Sequence, residues 1–225
     1  MDSFEKWLSE QKDTQVIDKQ FSKSDYVPVD LSINSKLFQF QNPTTADDYE
    51  VILKKYIALK KGKVGFGGYL EKRNLYQRSS LFTQSSSNNR SIHLGIDLWI
   101  DAGTLILAAF DGEIHSFKNN TALGDYGPTI LLKHTLNSFH FYTLYGHLSL
   151  ESISELKMGQ FFKKGEKIAT LGEAKVNGDY APHLHFQIIR DIQDFQGDYP
   201  GVCSEEQLSF YQKNCPDPNL ILQLS

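Results

Sequence analysis

The stretch "IHLGIDLWI", residues 92–100, is where apolar residues of this chain begin to recur at every second position. In an extended strand, alternate residues share one face of the sheet. One face of this stretch is apolar and carries Ile92, Leu94, Ile96, Leu98 and Ile100. The pattern therefore predicts a β-strand with a buried face.

Similar short runs follow, and glycine or proline residues separate them. The segments that we interpret as strands are 127–135, 139–150 and 183–191, together with 103–117 and 158–172, which each hold two short strands. Many short strands joined by such turns indicate an antiparallel sandwich or a barrel-like sheet. We therefore expect a mainly β protein of the α+β class, built on an antiparallel β-sheet or sandwich.

The chain before this region has the periodicity of helices. Phe4, Trp7 and Leu8 recur at helical spacing behind Asp2 and Ser3, which can cap a first helix. A second helix is predicted to begin at Thr45, since Thr45 and Asp48 form a capping-box start signal. Its apolar stripe consists of Val51, Ile52, Leu53, Tyr56, Ile57 and Leu59. Gly62 is expected to end it.

These patterns divide the chain into three parts. We expect residues 1–62 to form an N-terminal helical extension and residues 63–193 to form the main β domain. Residues 194–225 are rich in proline, glycine and aspartate, and we expect them to wrap the core as a C-terminal tail with one short helix near 204–212.

Composition limits the classes of function. The 225 residues are 40% hydrophobic and 22% charged, with a formal net charge of -4. No basic block occurs, which argues against nucleic acid as a partner. No apolar stretch approaches the roughly 20 residues of a membrane-spanning helix. The oligomeric state is not encoded in any motif that we recognise.

The N-terminus lacks the basic and apolar regions of a secretory signal. We therefore expect a cytoplasmic location, or a periplasmic or extracellular one if another export route is used. The two cysteines, Cys203 and Cys215, do not form a C-x-x-C pair, so a thiolate zinc site is not indicated. Without a secretion signal, two reduced thiols are favoured over a disulfide.

Two histidines stand one residue apart in the last predicted strand, "HLHFQII". His183, His185 and Gln187 share one strand face, while Leu184, Phe186 and Ile188 share the other. The Cα atoms of the two histidines would lie roughly 6.6 Å apart at ordinary strand rise. At that spacing one imidazole can bind a metal while its neighbour reaches the metal's open position.

An earlier strand supplies further ligand types. His93 and Asp97 share a face of "HLGID", but in a fully extended strand their Cα atoms would be roughly 13 Å apart. That is too long for one ion, so we expect the chain to bend at Gly95. His93, Asp97 and one later histidine would give three protein ligands, the number typical of a catalytic zinc site.

His147, in "YGHLS", follows a glycine near a predicted strand end, where a side chain can be directed into a cleft. The chain thus offers three ligands and two additional imidazoles. A zinc ion lowers the pKa of its bound water toward about 7, and a nearby histidine can take or hold that proton. The other histidine can donate a hydrogen bond to the oxyanion of a tetrahedral intermediate.

The segment from about residue 91 to 191 resembles the M23 family of zinc metallopeptidases, of the lysostaphin type. The motifs that carry the resemblance are "HLGID", "YGHLS" and "HLH", together with turn and strand segments such as "AAFDGEI" and "GPTILLKH". The resemblance implies a zinc ion held by His93, Asp97 and His185. It implies two catalytic histidines, His147 and His183.

The resemblance also implies hydrolysis of peptide bonds, typically in peptidoglycan, and an antiparallel sheet with the site in a groove across it. Three features depart from the family pattern. Ala181 replaces a glycine, Gln187 replaces a glutamate, and the loop "AKVNGDY" at 174–180 differs. Because this loop helps to shape the groove, the departures bear on substrate specificity rather than on zinc binding.

Two other functions remain open beside a zinc endopeptidase acting on peptides or peptidoglycan. One is a zinc hydrolase of a small cytoplasmic peptide or amide, which the missing export signal favours. The other is a non-catalytic module that binds cell-wall peptides or activates an enzyme. The loop containing Tyr69, Glu71, Arg73, Tyr76 and Arg78 precedes the metal strand. Residues of these types in a long loop most often pack or form solvated surface, and the alternative is that this loop forms one wall of the groove.

Overall fold

A computed structural model of the protein describes residues 1–38, 43–74 and 89–225. Within these ranges the helices are Ser3–Ser9 (α1), Ala46–Leu59 (α2), Leu208–Asn214 (α3) and Asn219–Leu222 (α4). The first strands are Tyr26–Pro28 (β1), Val64–Gly67 (β2), Ile92–His93 (β3), Ile96–Trp99 (β4), Leu105–Leu107 (β5) and Gly112–Asn120 (β6). The later strands are Gly127–Leu136 (β7), Phe139–Gly146 (β8), Phe161–Phe162 (β9), Lys167–Thr170 (β10), His183–Ile189 (β11) and Val202–Cys203 (β12).

The main sheet has eight strands among the described residues, in the order β1-β2-β4-β11-β8-β7-β6-β9. All of its neighbours pair antiparallel except β1 and β2, which are parallel. Two small antiparallel sheets, β5 with β10 and β3 with β12, complete the architecture. The predicted mainly β, antiparallel fold is confirmed.

The two faces of β11 separate the core from the site. Leu184, Phe186 and Ile188 are fully buried in the main hydrophobic cluster. Each such side chain stabilises the fold by about 1.5–3 kcal/mol relative to an exposed one. His183 and His185 lie on the opposite face, as the period of two predicts.

The first helix, α1, begins as expected, because the Asp2 side chain accepts hydrogen bonds from the backbone N–H groups of Phe4 and Glu5. Phe4 and Leu8 are buried in the main cluster. The N-terminal segment is therefore part of the same core as the main sheet.

The second helix, α2, also begins at its predicted Thr45 cap, but its predicted stripe is only partly correct. Leu53 and Ile57 are buried, whereas Val51 is about half exposed and Leu59 is largely exposed. The helix ends earlier than Gly62, since Lys61 already adopts a left-handed conformation with φ of 62°. The N-terminal extension also contains β1, so it is not purely helical. The division of the chain at residues 62 and 193 stays a prediction.

The C-terminal tail returns to the main body of the protein. Strand β12 pairs with β3, so that Val202 lies opposite His93. Cys203 and Cys215 are buried free thiols, as expected. Helix α3 overlaps the region predicted to be helical and extends two residues beyond it. None of the helices in the described ranges has the length and apolar character needed to cross a bilayer.

Candidate metal centre

The expected bend occurs where the sequence places it. Strand β3 ends at His93 and β4 begins at Ile96, with Leu94 and Gly95 between them. A Cβ atom at Gly95 would lie 2.7 Å from the imidazole of His185. Because glycine has no side chain, the His185 ring can pass close to the backbone at the bend.

The bend brings His93 and Asp97 together, and strand pairing adds His185. Asp97 on β4 lies directly opposite His185 on β11. Oδ1 of Asp97 is 3.2 Å from Nε2 of His93 and 3.3 Å from Nδ1 of His185. The two imidazole nitrogens are 2.8 Å apart. All three side chains are buried.

Hydrogen bonds on the far side of each ring determine which nitrogen carries the proton. Nδ1 of His93 lies 3.0 Å from the carbonyl oxygen of Gly68, and Nε2 of His185 lies 3.0 Å from Oε1 of Gln187. The Gln187 amide is oriented by its N–H donation to the carbonyl of Pro200. Since carbonyl oxygens only accept, each of these ring nitrogens donates. The lone pairs of His93 Nε2 and His185 Nδ1 therefore face each other.

Asp97 presents its two oxygens differently. Oδ2 accepts a hydrogen bond from Nη1 of Arg73 at 2.6 Å. Oδ1 is buried and receives no hydrogen bond from the described residues. Burial alone would raise the pKa of Asp97, but His93 and the Arg73 guanidinium hold it well below its usual range. The carboxylate is therefore ionised, with one oxygen directed at the two histidines.

Two facing lone pairs and an orphaned carboxylate oxygen repel one another unless a cation lies among them. The donor atoms of His93, Asp97 and His185 all lie within 4.8 Å of one another. Two imidazoles and one carboxylate match a three-ligand catalytic zinc site, and the acceptors behind the imidazoles match the usual partners of metal-bound histidines. The residues present thus fit a divalent metal ion.

The other two site histidines line the same cavity. Nδ1 of His147 lies 2.7 Å from the carbonyl oxygen of Asn177, and Nδ1 of His183 lies 2.8 Å from that of Ala181. Each Nδ1 therefore donates, which leaves the lone pair on Nε2. The two ring centroids are 4.2 Å apart, and Nε2 of His183 is 3.7 Å from Oδ1 of Asp97.

Three of the buried site imidazoles, those of His93, His147 and His183, are held in their neutral form. Burial lowers the pKa of His93 to about 4. Burial, with the neighbouring His183 and His185, holds the pKa of His147 well below its usual range, and burial likewise lowers that of His183. Neutral imidazoles at pH 7 can bind a cation or accept a proton.

A cleft of about 220 Å³ opens onto these residues. One wall comes from the N-terminal segment and includes Leu31, Tyr49 and Leu53, next to Trp99 on β4. The lining also includes the loops around Tyr126 and Tyr180 and the start of the tail, which contributes residues 198–202. All five site residues therefore line a single cleft.

Sequence reasoning did not assign two functional neighbours of the cluster. Arg73 was named only among the residues of the loop before the metal strand, and the structure shows that it is buried and bound to Asp97. Gln187 was noted only as a departure from a pattern, yet it orients His185. Arg73 does line the cleft, whereas Tyr76 and Arg78 lie outside the described residues.

Residues 91–196 match the sequence profile of peptidase family M23. The matched segment is somewhat less than half of the chain, and it contains all five site residues. It confirms the resemblance that the three histidine motifs indicated.

Individual relatives match parts of this chain that differ in length. An uncharacterized metalloprotease from Haemophilus influenzae is 34% identical over 95 residues, which are 42% of this chain and 18% of that protein. A zinc-containing peptidase from Vibrio cholerae is 28% identical, with a TM-score of 0.36, over 48% of this chain and 30% of that one. The catalytic domain of lysostaphin from Staphylococcus simulans is 22% identical, with a TM-score of 0.39, over 69% of this chain and 96% of that one. This chain therefore spans less than a fifth of the length of the Haemophilus relative.

Proposed function

We propose that this chain, whose residues 91–196 match peptidase family M23, is a zinc-dependent endopeptidase that cleaves peptide bonds in peptidoglycan or related peptides. The observation that carries the proposal is the convergence of two imidazole lone pairs and the orphaned Asp97 oxygen. In a protein without a metal, this arrangement would be destabilising, because a buried carboxylate oxygen without a partner costs free energy.

The ligand set in this proposal is His93, Asp97 and His185. A zinc ion bound by them would supply Lewis-acid polarisation of the scissile carbonyl and lower the pKa of a coordinated water. The protein supports the ligands from behind, since Gly68 and Gln187 accept the protons of the two imidazoles. These contacts fix the ring orientations before a metal binds.

His147 and His183 carry the proton chemistry. Each directs the lone pair of Nε2 into the cavity and is neutral at pH 7. One of the two Nε2 atoms can accept a proton from the attacking water and return it to the leaving amine. The other, once protonated, can donate a hydrogen bond to the developing oxyanion.

The two other candidate functions differ from this proposal in their need for the catalytic histidines, in the length of the substrate and in the expected location of the protein. A non-catalytic peptide-binding module has no need for His147 and His183 beside a filled ligand set. A zinc hydrolase of small peptides or amides would use the same five residues on a shorter substrate. A cytoplasmic location would favour that function, and an exported one would favour peptidoglycan. Fractionation of the native host checks the location.

The proposal is tested by metal analysis of the purified protein, coupled to mass spectrometry of digested peptidoglycan fragments and of short peptides. We expect one zinc per chain in the wild type and clear loss of zinc in His185→Ala. The matched control is His140→Ala, which changes an exposed histidine on β8. Because two histidines and one carboxylate can also hold iron(II), the analysis measures iron as well. Full zinc occupancy in His185→Ala would remove His185 from the site.

A further inference from the structure

We infer that Arg73, held in turn by Glu71, is a positioning residue that fixes Asp97 as a one-oxygen metal ligand. The inference rests on the proposed function, since it concerns the same metal. It assigns a role to residues that precede the segment matched to peptidase family M23.

The guanidinium of Arg73 is placed behind the metal ligand. Its side chain is 2% exposed, and its Nη1 donates to Oδ2 of Asp97 at 2.6 Å. The guanidinium carbon also lies 5.7 Å from the ring centroid of Trp99, which follows Asp97 by two residues on β4. Because a planar guanidinium keeps its donors in fixed directions, it restrains the carboxylate more tightly than a lysine would.

Glu71 restrains Arg73 from the other side. Its Oε2 accepts the Arg73 Nε–H, and its Oε1 accepts the backbone N–H of Leu31 at 2.9 Å. Glu71 is itself largely buried, with 12% of its side chain exposed. A continuous line of hydrogen bonds therefore runs from the backbone of the N-terminal segment through Glu71 and Arg73 to Asp97.

Backbone hydrogen bonds attach the short segment 68–73, which contains Glu71 and Arg73, to the strand that carries His93. The N–H of Arg73 donates to the carbonyl of Ser91 at 2.8 Å, and the N–H of His93 donates to the carbonyl of Glu71 at 3.0 Å. The Gly68 carbonyl, which accepts the His93 imidazole proton, also accepts the N–H of Glu71. One short segment thus orients two of the three proposed ligands.

Gly68 makes this arrangement sterically possible. It has φ of 106°, and a Cβ atom there would overlap Nη2 of Arg73 and approach Nδ1 of His93. A side chain at this position would therefore displace both groups. The glycine is explained by the close approach of the guanidinium and the imidazole.

The consequence concerns the geometry of Asp97. With Oδ2 engaged by Arg73, only Oδ1 is directed at His93 and His185. Without the guanidinium, the carboxylate could rotate, and Oδ1 would no longer be fixed between the imidazoles. Loss of a group that orients a metal ligand typically weakens metal affinity by roughly 10- to 100-fold.

Electrostatics alone predicts the opposite change in zinc affinity, so the direction of the measured change distinguishes the two effects. Removing a positive charge close to the site should, by itself, strengthen the binding of a cation. Weaker binding after Arg73→Met would therefore report the loss of positioning. Tighter or unchanged binding would overturn the inference.

The experiment measures zinc dissociation constants by chelator competition for the wild type, Arg73→Met, Arg73→Lys and Glu71→Gln. The control is Lys72→Met, because the neighbouring Lys72 is half exposed and pairs with Glu205 away from the site. We expect roughly 10- to 100-fold weaker zinc binding for Arg73→Met. We expect a smaller loss for Arg73→Lys and for Glu71→Gln, and no change for the control.

A spectroscopic measurement separates positioning from general destabilisation. The absorption bands of the cobalt-substituted protein report ligand geometry, and we expect them to shift in Arg73→Met and to return toward the wild-type spectrum in Arg73→Lys. Thermal unfolding of the metal-free variants identifies any that fail to fold, and Glu71→Gln then replaces Arg73→Met. A wild type that binds neither zinc nor cobalt refutes the proposed function. A wild type that binds both, with variants that bind equally well, refutes only the role of Arg73.

Discussion

Each imidazole of the site uses one ring nitrogen to donate to a protein acceptor and directs the other into the cavity. The acceptors are the backbone carbonyls of Gly68, Asn177 and Ala181 and the side-chain amide of Gln187. Because these partners fix the tautomer of every histidine, the difference between ligand and proton carrier depends on position alone. Ligand positions surround Oδ1 of Asp97, and the other two imidazoles lie beside them.

This difference in position leads to a prediction about His147 and His183. The variants His147→Ala and His183→Ala should keep one metal per chain but lose activity by roughly 100-fold or more, because general acid–base and oxyanion contributions have that size. Turnover assays and metal analysis of the same preparations check it. Unchanged turnover in both variants would leave these two histidines without a role in the chemistry.

The backbone of His147 adopts a left-handed conformation. Its φ is 64°, and its N–H and C=O groups are fixed by hydrogen bonds to Tyr126 and Gly172. Glycine adopts this conformation without the steric cost that alanine meets. We expect His147→Gly to have a free energy of unfolding about 1 kcal/mol higher than His147→Ala. Urea denaturation of the two metal-free variants measures the difference, and equal stabilities would contradict it.

The five residues named from the sequence are the residues that the structure brings together, because each lies in a short motif with a recognisable spacing. Arg73 could not be assigned in this way. It lies 24 residues before Asp97, and its role depends on a contact that only the folded chain creates. A buried arginine also contradicts the usual expectation of an exposed charge. The metal and catalytic roles of the five residues stay predictions.

At the scale of elements, period-two alternation predicts strands well and their partners poorly. The strand at residues 92–100 was expected to bend at Gly95, and the bend divides it between two sheets. That division occurs because β3 pairs with β12 of the C-terminal tail, and no local sequence pattern predicts this pairing. Helix α2 shows that periodicity predicts a helix but not which of its apolar residues are buried. The exposure of Val51 and Leu59 depends on what packs against the helix.

A buried histidine links three elements outside the metal cluster. His134 on β7 lies with Nδ1 2.9 Å from the carbonyl of Asp111 and Nε2 2.8 Å from the hydroxyl of Thr143 on β8. Burial lowers the pKa of His134 to about 4. The ring is therefore neutral in the folded protein at pH 7, and it joins two strands to the turn before β6.

The lowered pKa predicts how stability depends on pH. Between pH 6.5 and about 4 the unfolded chain binds the His134 proton while the folded protein does not, so the free energy of unfolding falls as the pH falls. We expect His134→Gln to reduce this loss by up to about 3 kcal/mol between pH 7 and pH 4. Chemical denaturation across this range measures it. The exposed His140→Gln should follow the wild type, and a parallel curve for His134→Gln would contradict the prediction.

At the scale of the whole molecule, the site depends on chain segments on both sides of the M23 match. The N-terminal segment holds Asp97 through Arg73, and its Val29, Leu31 and Leu53 pack with Trp99 in one hydrophobic cluster. The tail orients His185 through Pro200 and Gln187. The contacts of Leu31 with Glu71 and Trp99 cross the predicted boundary at residue 62, and the contact of Gln187 with Pro200 crosses that at 193. The sequence could not reveal these contacts because no local pattern records them.

The wall formed by α2 leads to the last prediction. Tyr49 lines the cleft and is neither a proposed metal ligand nor a proposed proton carrier, so it should contribute equally to binding of substrate and transition state. The variant Tyr49→Ala should therefore raise KM by about 10-fold, the equivalent of a lost apolar contact, with kcat and zinc content unchanged. Tyr56→Ala is the matched control, since Tyr56 lies on the same helix but bonds to the Pro28 carbonyl outside the cleft. Steady-state kinetics on the fragment identified by mass spectrometry compares the two. Equal KM values for Tyr49→Ala and Tyr56→Ala would show that α2 supports the fold without contacting the substrate.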